Sequence, residues 1–212
     1  TKQKAQKTMR TKVLLSAAAA LAVGAITAQA QVYSVNIVGY VNKVYPAGFS
    51  MASNPLDNGT NTVGDVLTGM PDFGGVYKYS AGAYEPLNTY FGGGFWGNGA
   101  QELQPGEGFF ISSPSAWTNT YVGEVVADST NSLIAGFNMV GSVYPAGGAI
   151  TTDLGLAPND FDGVYEYTDG SGYQPLNTYF GGGFWGGGEP TLDVGQAMFY
   201  NATAALDWVQ SF

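Results

Sequence analysis

The chain lacks two residue types on which much protein chemistry depends, because its 212 residues include neither cysteine nor histidine. Without cysteine, an exported chain of this kind has no disulfides and must be stabilised by its cores. Without histidine, Ser-His-Asp and Cys-His nucleophile systems are excluded. Zinc sites built from imidazole or thiolate are excluded as well. Catalysis by side chains would have to depend on carboxylates.

Basic residues are also scarce, with seven lysines and arginines against sixteen acidic residues. Five of the seven lie in the first thirty residues, whereas all the acids follow residue 30. Residues 31–212 therefore carry two basic and sixteen acidic groups, a net charge of −14. Such a surface repels phosphate backbones and anionic lipid headgroups, so we expect no nucleic-acid partner and no peripheral membrane role.

The first thirty residues have the pattern of a signal peptide. A basic stretch from Met9 to Lys12 precedes the apolar run VLLSAAAALAVGAI, which ends at the small-residue site Ala28-Gln29-Ala30. We expect a signal helix in residues 1–30, cleavage before Gln31, and no membrane span afterwards; the alternative is a retained anchor. Residues 1–8 precede the first methionine and are interpreted as an artefact of the assigned start. The expected location is secreted, extracellular or at the cell surface, with the periplasm as the alternative.

The remaining chain contains an internal repeat of about ninety residues. The twelve letters PLNTYFGGGFWG occur at 86–97 and again at 175–186, an offset of 89. AGFSM at 47–51 matches AGFNM at 135–139, and GVYKY at 75–79 matches GVYEY at 163–167, both at an offset of 88. A weaker pair, VGYV at 38 and VGEV at 122, is interpreted as the start of each unit. The sequence thus predicts two tandem homologous modules, at 31–124 and 125–212.

Each module reads as β structure. Alternating segments such as WTNTYVGEVV are typical of half-buried strands, and Asp169-Gly170 is typical of a hairpin turn. TVGDVLTGM (62–70) has helical spacing but room for only two turns. We expect an all-β fold of two sandwich-like or barrel-like modules, each with at most one short helix.

The repeated dodecamer has two interpretations. In the structural one, its aromatic side chains belong to the core and its three glycines allow backbone angles that a Cβ would forbid. In the functional one, the glycines form a loop that displays aromatic rings to sugars or peptides. The candidate binding residues are Tyr90, Phe91, Phe95, Trp96, Tyr179, Phe180, Phe184 and Trp185.

Glycoside hydrolysis requires paired carboxylates, for which Glu85, Glu102 and Glu107 are the candidates in the first copy. Glu85 is replaced by Gln174 and Glu107 by Gln196, which argues against an enzyme. The two lysines after residue 30 have no lysine counterparts either, which excludes a lysine nucleophile shared by both copies.

One segment resembles part of a calcium loop. Asn159-Asp160-Phe161-Asp162-Gly163 places two carboxylates close together, and hard cations prefer oxygen ligands. Asp160 and Asp162 are therefore candidate ligands for calcium, although no glutamate follows at the EF-hand spacing. The alternative is an Asx turn leading into a strand.

PAGFSMASNPL, GVYKY and LQPGEGFFI resemble motifs of exported β-rich repeat proteins of verrucomicrobial type. The resemblance covers both modules and implies no activity. The chain departs from the pattern at Val194-Gly195-Gln196-Ala197, which replaces Pro105-Gly106-Glu107-Gly108.

From the sequence we expect a secreted, non-catalytic structural protein of the extracellular space or cell surface. The alternative is a carbohydrate-binding module that uses the aromatic and glycine loops. Polysaccharides and other surface proteins are the expected partners, and no cofactor other than the calcium considered above is expected.

Overall fold

A computed structural model describes residues 37–211 of the protein. The predicted signal peptide and the first residues of the predicted first module lie outside the described residues. The fold is all-β, as predicted from the sequence, and the longest helix in the described range has four residues.

The first half of the described chain contains eight strands and helix α1 (Val63–Val66). The strands are β1 (Val38–Tyr45), β2 (Gly48–Ser53), β3 (Gly75–Ser80), β4 (Ala83–Tyr84), β5 (Asn88–Gly92), β6 (Phe95–Trp96), β7 (Gly108–Ser113) and β8 (Trp117–Glu124). Helix α1 follows Thr62, whose hydroxyl donates to Asp65 at 2.6 Å. The predicted helix is therefore present but shorter than its sequence pattern.

The second half contains ten strands, six of which have only two or three residues. They are β9 (Asp128–Leu133), β10 (Gly136–Gly141), β11 (Gly148–Ala149), β12 (Gly163–Tyr165), β13 (Tyr167–Thr168), β14 (Gly172–Tyr173), β15 (Asn177–Thr178), β16 (Thr191–Leu192), β17 (Ala197–Ala202) and β18 (Leu206–Ser211). The hairpin predicted at Asp169-Gly170 joins β13 to β14.

Both halves have the same topology. The main sheet of the first half has the order β2-β7-β3-β5-β6, and that of the second half has the order β10-β17-β12-β15. In each half the first and last strands form a separate antiparallel ribbon, β1 with β8 and β9 with β18. The VGEV segment at 122 ends the first half in β8 instead of beginning the second. Its interpretation as a unit start was wrong, because alternating apolar residues are equally typical of either ribbon strand.

Each half has its own hydrophobic core beneath one face of its main sheet. The first core includes Ala52, Val76, Phe109 and Ile111 from the sheet and Tyr121 from the ribbon. The second core is built from the equivalent sheet and ribbon, with Tyr200 from the sheet and Trp208 from the ribbon among its largest side chains. Strand alternation then points the intervening residues to the opposite sheet face.

Those opposite faces meet each other, and this contact joins the two halves. Met51 and Phe110 of the first half pack with Met139, Ala197 and Phe199 of the second. The backbone contacts come in equivalent pairs: Ser53 N–H donates to Gly195 O at 3.0 Å, and Gly141 N–H donates to Gly106 O at 2.9 Å. Offsets of 88 and 89 relate the donors and acceptors, so the halves are arranged about an approximate two-fold axis within one chain.

Candidate functional site

The two dodecamers form the same hairpin in both halves. In the first, β5 and β6 enclose Gly93 and Gly94, both with positive φ. The hydroxyl of Tyr90 accepts a hydrogen bond from Gly94 N–H at 2.9 Å, and Tyr179 does the same for Gly183 N–H at 2.9 Å. A side chain at the glycines would strain this turn. Through these hydrogen bonds, the tyrosine of each motif closes its own loop.

The tryptophans of the dodecamers are core residues. Trp96 is 5% exposed and Trp185 is 3% exposed. Each packs against the tyrosine of its own motif, with ring centroids 5.1 Å apart in both copies. Neither tryptophan face is open to a sugar ring, so half of the proposed aromatic platform serves the core.

The phenylalanines of the dodecamers remain exposed. Phe91 and Phe95 form a tilted pair with centroids 5.9 Å apart, and Phe180 and Phe184 form one at 6.0 Å. Each motif also lies against a turn that carries an exposed phenylalanine. Sequence reasoning did not identify this phenylalanine as a site residue. Phe161, 66% exposed, contacts Phe180 at 6.3 Å. Phe161 and its counterpart Phe73, 73% exposed, both have positive φ, which is unusual for a bulky residue.

The two candidate calcium ligands have different surroundings. Asp162 is fully buried, and its carboxylate accepts hydrogen bonds from Tyr200 OH at 2.5 Å, Thr203 N–H at 2.6 Å and Asn159 N–H at 2.8 Å. Asp160 is exposed and lies against Gly181, where a Cβ would be 2.5 Å from its Oδ1.

The same packing occurs in the first half, where the Asp72 carboxylate lies against Gly92. Within residues 37–211, no three acidic side chains converge as a metal site. Calcium binding here stays a prediction, while the observed hydrogen bonds of Asp162 are those of a buried structural carboxylate.

The glutamates considered for hydrolysis also have structural partners. Glu107 forms an ion pair with Lys78 at 2.7 Å, and Glu85 accepts hydrogen bonds from Ser80 and Gln101. Glu102 accepts from Gln104 at 2.6 Å.

A second aromatic surface, which sequence reasoning did not identify, lies where the two sheets meet. Two open hollows flank the hydrogen-bonded hydroxyls of Tyr84 and Tyr173, which are 2.9 Å apart. The first hollow, of about 300 Å³, is lined by Phe49, Tyr77, Tyr84, Phe110, Tyr167 and Tyr173. The second hollow, of about 390 Å³, is lined by Tyr79, Tyr84, Phe137, Tyr165, Tyr173, Gln174 and Phe199.

The two hollows are copies of each other. Applying the repeat offsets of 88 and 89 in either direction converts all six residues of the first hollow into residues of the second. Their walls meet at steep angles: Phe110 and Tyr167 are inclined at 82°, and Tyr79 and Phe199 at 86°. Each hollow is therefore an aromatic box whose walls come from both halves of the chain.

This surface consists of electron-rich aromatic rings, and its tyrosine hydroxyls are weak acids. Burial raises the pKa of Tyr84 and of Tyr173, so both phenols stay protonated at neutral pH. Burial, and secondarily the charge of Asp169, raises the pKa of Tyr167. Neither set of lining residues contains a basic side chain.

The signal that could have revealed these hollows was the repeat itself. The five aromatic positions that line the hollows all recur at the repeat offsets, beginning with Phe49 and Phe137. Their meeting point depends on how the halves pack, which periodicity within a strand does not specify.

Comparisons with protein-family models, curated proteins and solved structures found no match to this chain. In the described part of the chain, no helix has the length and apolar character needed to cross a membrane.

Proposed function

We propose that the protein is a secreted, non-catalytic structural component of the extracellular space or cell surface. The observation that carries the proposal is the burial of Trp96 and Trp185, because the longest repeated motif then serves primarily to build two cores. The aromatic residues on the other sheet faces join the halves into a pair with matching contacts.

The acidic side chains support a non-catalytic role. Hydrolysis of a glycoside requires two carboxylates across a cleft, one of them protonated. Glu85, Glu102 and Glu107 instead hold neighbouring side chains, and the first and last of these are glutamines in the second half. The predicted export also agrees with a structural role, and N-terminal sequencing of the exported protein should begin at Gln31.

Acrylamide quenching of tryptophan fluorescence tests the proposal. All four tryptophans are buried, so the native protein should give a blue-shifted emission that is poorly quenched and does not change with soluble polysaccharides. A Phe95→Trp variant provides the matched control, because this position is exposed and should add a quenchable component. Readily quenched native emission that shifts on one glycan would disprove the structural role of the dodecamer.

The exposed phenylalanines favour a second candidate, carbohydrate binding. Phe91 and Phe95 present open ring area, and the unusual backbone of Phe73 keeps a third ring beside the same turn region. Aromatic faces suit neutral sugar rings, and the acidic net charge disfavours anionic polymers.

This candidate is tested by co-sedimentation with insoluble neutral polysaccharides. Binding that is lost in the combined Phe91→Ala, Phe95→Ala, Phe180→Ala and Phe184→Ala variant would support it. Val209→Ala removes an exposed apolar side chain elsewhere and should leave binding unchanged. Absence of binding in the native protein would remove the candidate.

A further inference from the structure

We propose that the twin aromatic hollows beside Tyr84 and Tyr173 bind a small quaternary ammonium ion, with the first hollow as the stronger site. This inference goes beyond the structural role and does not depend on it. It rests on the shape of the hollows, the kind of side chain that lines them, and the charge around them.

The shape is that of an open hollow with aromatic walls. In the first hollow, Phe110 lies at 89° to Phe49, at 82° to Tyr167 and at 87° to Tyr173. Phe110 therefore packs edge to face against these rings, and together they line an open hollow instead of forming a flat stack. A volume of about 300 Å³ is at the lower end of small-molecule pockets, so the space suits a compact group.

The lining chemistry selects a cation with an apolar surface. Phenol and benzene faces carry negative quadrupoles and attract cations within about 6 Å of the ring centroid. The linings offer few hydrogen-bonding groups beyond tyrosine hydroxyls, and those of Tyr84 and Tyr173 already bond to each other. A hydrated ammonium or a sugar would leave its own polar groups unpaired here, whereas a methylated ammonium has none to satisfy.

The surrounding charge distinguishes the two hollows. Asp169 follows Tyr167 by two residues, at the turn of the β13–β14 hairpin, and its charge acts on the Tyr167 ring of the first hollow. The repeat offset of 88 places Ala81 at the corresponding position near the second hollow. The positive charge of Lys43 also attracts Asp169, but the ion pair of Lys43 is with Asp193, at 3.7 Å. The first hollow therefore has a carboxylate beside it whose counterpart in the repeat is an alanine.

The test compares choline with 3,3-dimethyl-1-butanol, its uncharged carbon analogue, on the full chain. Proton chemical shifts of the ligand methyl groups report contact with aromatic faces, and titration gives the affinities. We expect upfield shifts for choline and binding about tenfold tighter than for the neutral analogue. Equal affinity for the two ligands, or no shift for choline, would overturn the proposal.

Variants locate the site. Tyr84→Leu combined with Tyr173→Leu removes the walls that both hollows share and should abolish the shift. Because both tyrosines are about half exposed, the variant is expected to fold, which circular dichroism would verify. Phe49→Leu changes an exposed wall of the first hollow alone and should weaken choline binding severalfold. Retained affinity in both folded variants would place binding elsewhere and reject the hollows.

A matched pair of charge variants tests the preference for the first hollow. Asp169→Asn should weaken choline binding about threefold. Asp193→Asn makes the same change in net charge beside the same lysine and should have no effect. If both variants lose the same choline affinity, the contribution of Asp169 is only general electrostatic attraction. That result would reject the assignment of the first hollow as the stronger site. Binding to phosphatidylcholine vesicles without binding to free choline would reject the small-ion ligand.

Discussion

The hydroxyls of Tyr84 and Tyr173 form a 2.9 Å hydrogen bond with each other, although the residues occupy the same position in two copies of one module. A residue can meet its own counterpart only near the axis that relates the copies. The reciprocal bonds of Ser53 with Gly195 and of Gly141 with Gly106 extend the same relationship along the backbone. The contacts between equivalent positions thus resemble those of a symmetric dimer within one chain.

Near this axis, the equivalent positions 53 and 141 carry different residues and lie against each other. A Cβ built on Gly141 would lie 2.5 Å from the Cβ of Ser53 and 2.6 Å from Gln196 O. Gly141→Ser, which would restore the residue of the first copy, should therefore lower the free energy of unfolding by about 1–3 kcal/mol through overpacking. Urea unfolding measures this change.

The reciprocal exchange supplies the control. Ser53→Gly should cost about 1 kcal/mol, since it removes the Oγ–H bond to Gln196 O. The double variant Ser53→Gly, Gly141→Ser should be more stable than the sum of the single effects predicts, because only one side chain then occupies the contact. Recovery should be partial because Gln196 O remains close. Strictly additive effects would show that the two positions do not compete for space.

The sequence predicted local structure better than it predicted surfaces. Alternation located β8 within a few residues, and turn residues located the hairpin of β13 and β14, because those signals act within a short stretch of chain. The dodecamer was ambiguous since tryptophan suits a core and an open platform equally well. The hollows escaped prediction because their walls come from both copies, and the separation of Tyr77 from Tyr167 in space depends on how two sheets pack.

The carboxylate of Asp162 should be a major source of stability in the second half. Asp162→Asn keeps the size of the side chain but presents an amide group to donors from Tyr200, Thr203 and Asn159. We expect a loss of about 2–4 kcal/mol in unfolding free energy, in the range for hydrogen bonds to a buried charge. Asp160→Asn, in the same turn but exposed, should change stability by about 0.5 kcal/mol or less.

Thermal unfolding with and without calcium extends this experiment to the metal prediction. A rise in melting temperature with calcium that disappears in Asp160→Asn would establish a metal site at the turn. A native melting temperature indifferent to calcium would remove that prediction while leaving the hydrogen-bonding role of Asp162 unaffected.

The two lysines of the described chain should contribute differently to the free energy of unfolding. Lys78 Nζ lies 2.7 Å from Glu107 Oε1 and donates to Glu102 O at 2.7 Å, and both side chains of the ion pair are largely buried. Lys78→Met should therefore cost about 1–2 kcal/mol. Lys43→Met breaks a 3.7 Å pair with the exposed Asp193 and removes a weaker attraction to Asp169, so it should cost less than about 0.5 kcal/mol. Urea unfolding of both variants measures the difference, and similar losses would contradict it.

Buried tyrosines should make the protein sensitive to alkali. Tyr45 and Tyr121 share a buried 2.6 Å hydroxyl contact, and burial raises the pKa of each above the ordinary value of about 10. Because the native state holds these protons more tightly than the unfolded state, their stabilisation is complete below pH about 10 and is lost as the pH rises further.

Above that pH, each such tyrosine should reduce the free energy of unfolding by about 1.4 kcal/mol per pH unit until its native form ionises. Urea unfolding at a series of pH values between about 9 and 12 measures the slope. Tyr45→Phe should lower the slope by about 1.4 kcal/mol per pH unit, the contribution of one proton. Tyr121→Phe should have the same effect. A slope unchanged in both variants would mean that neither phenol resists ionisation in the folded protein.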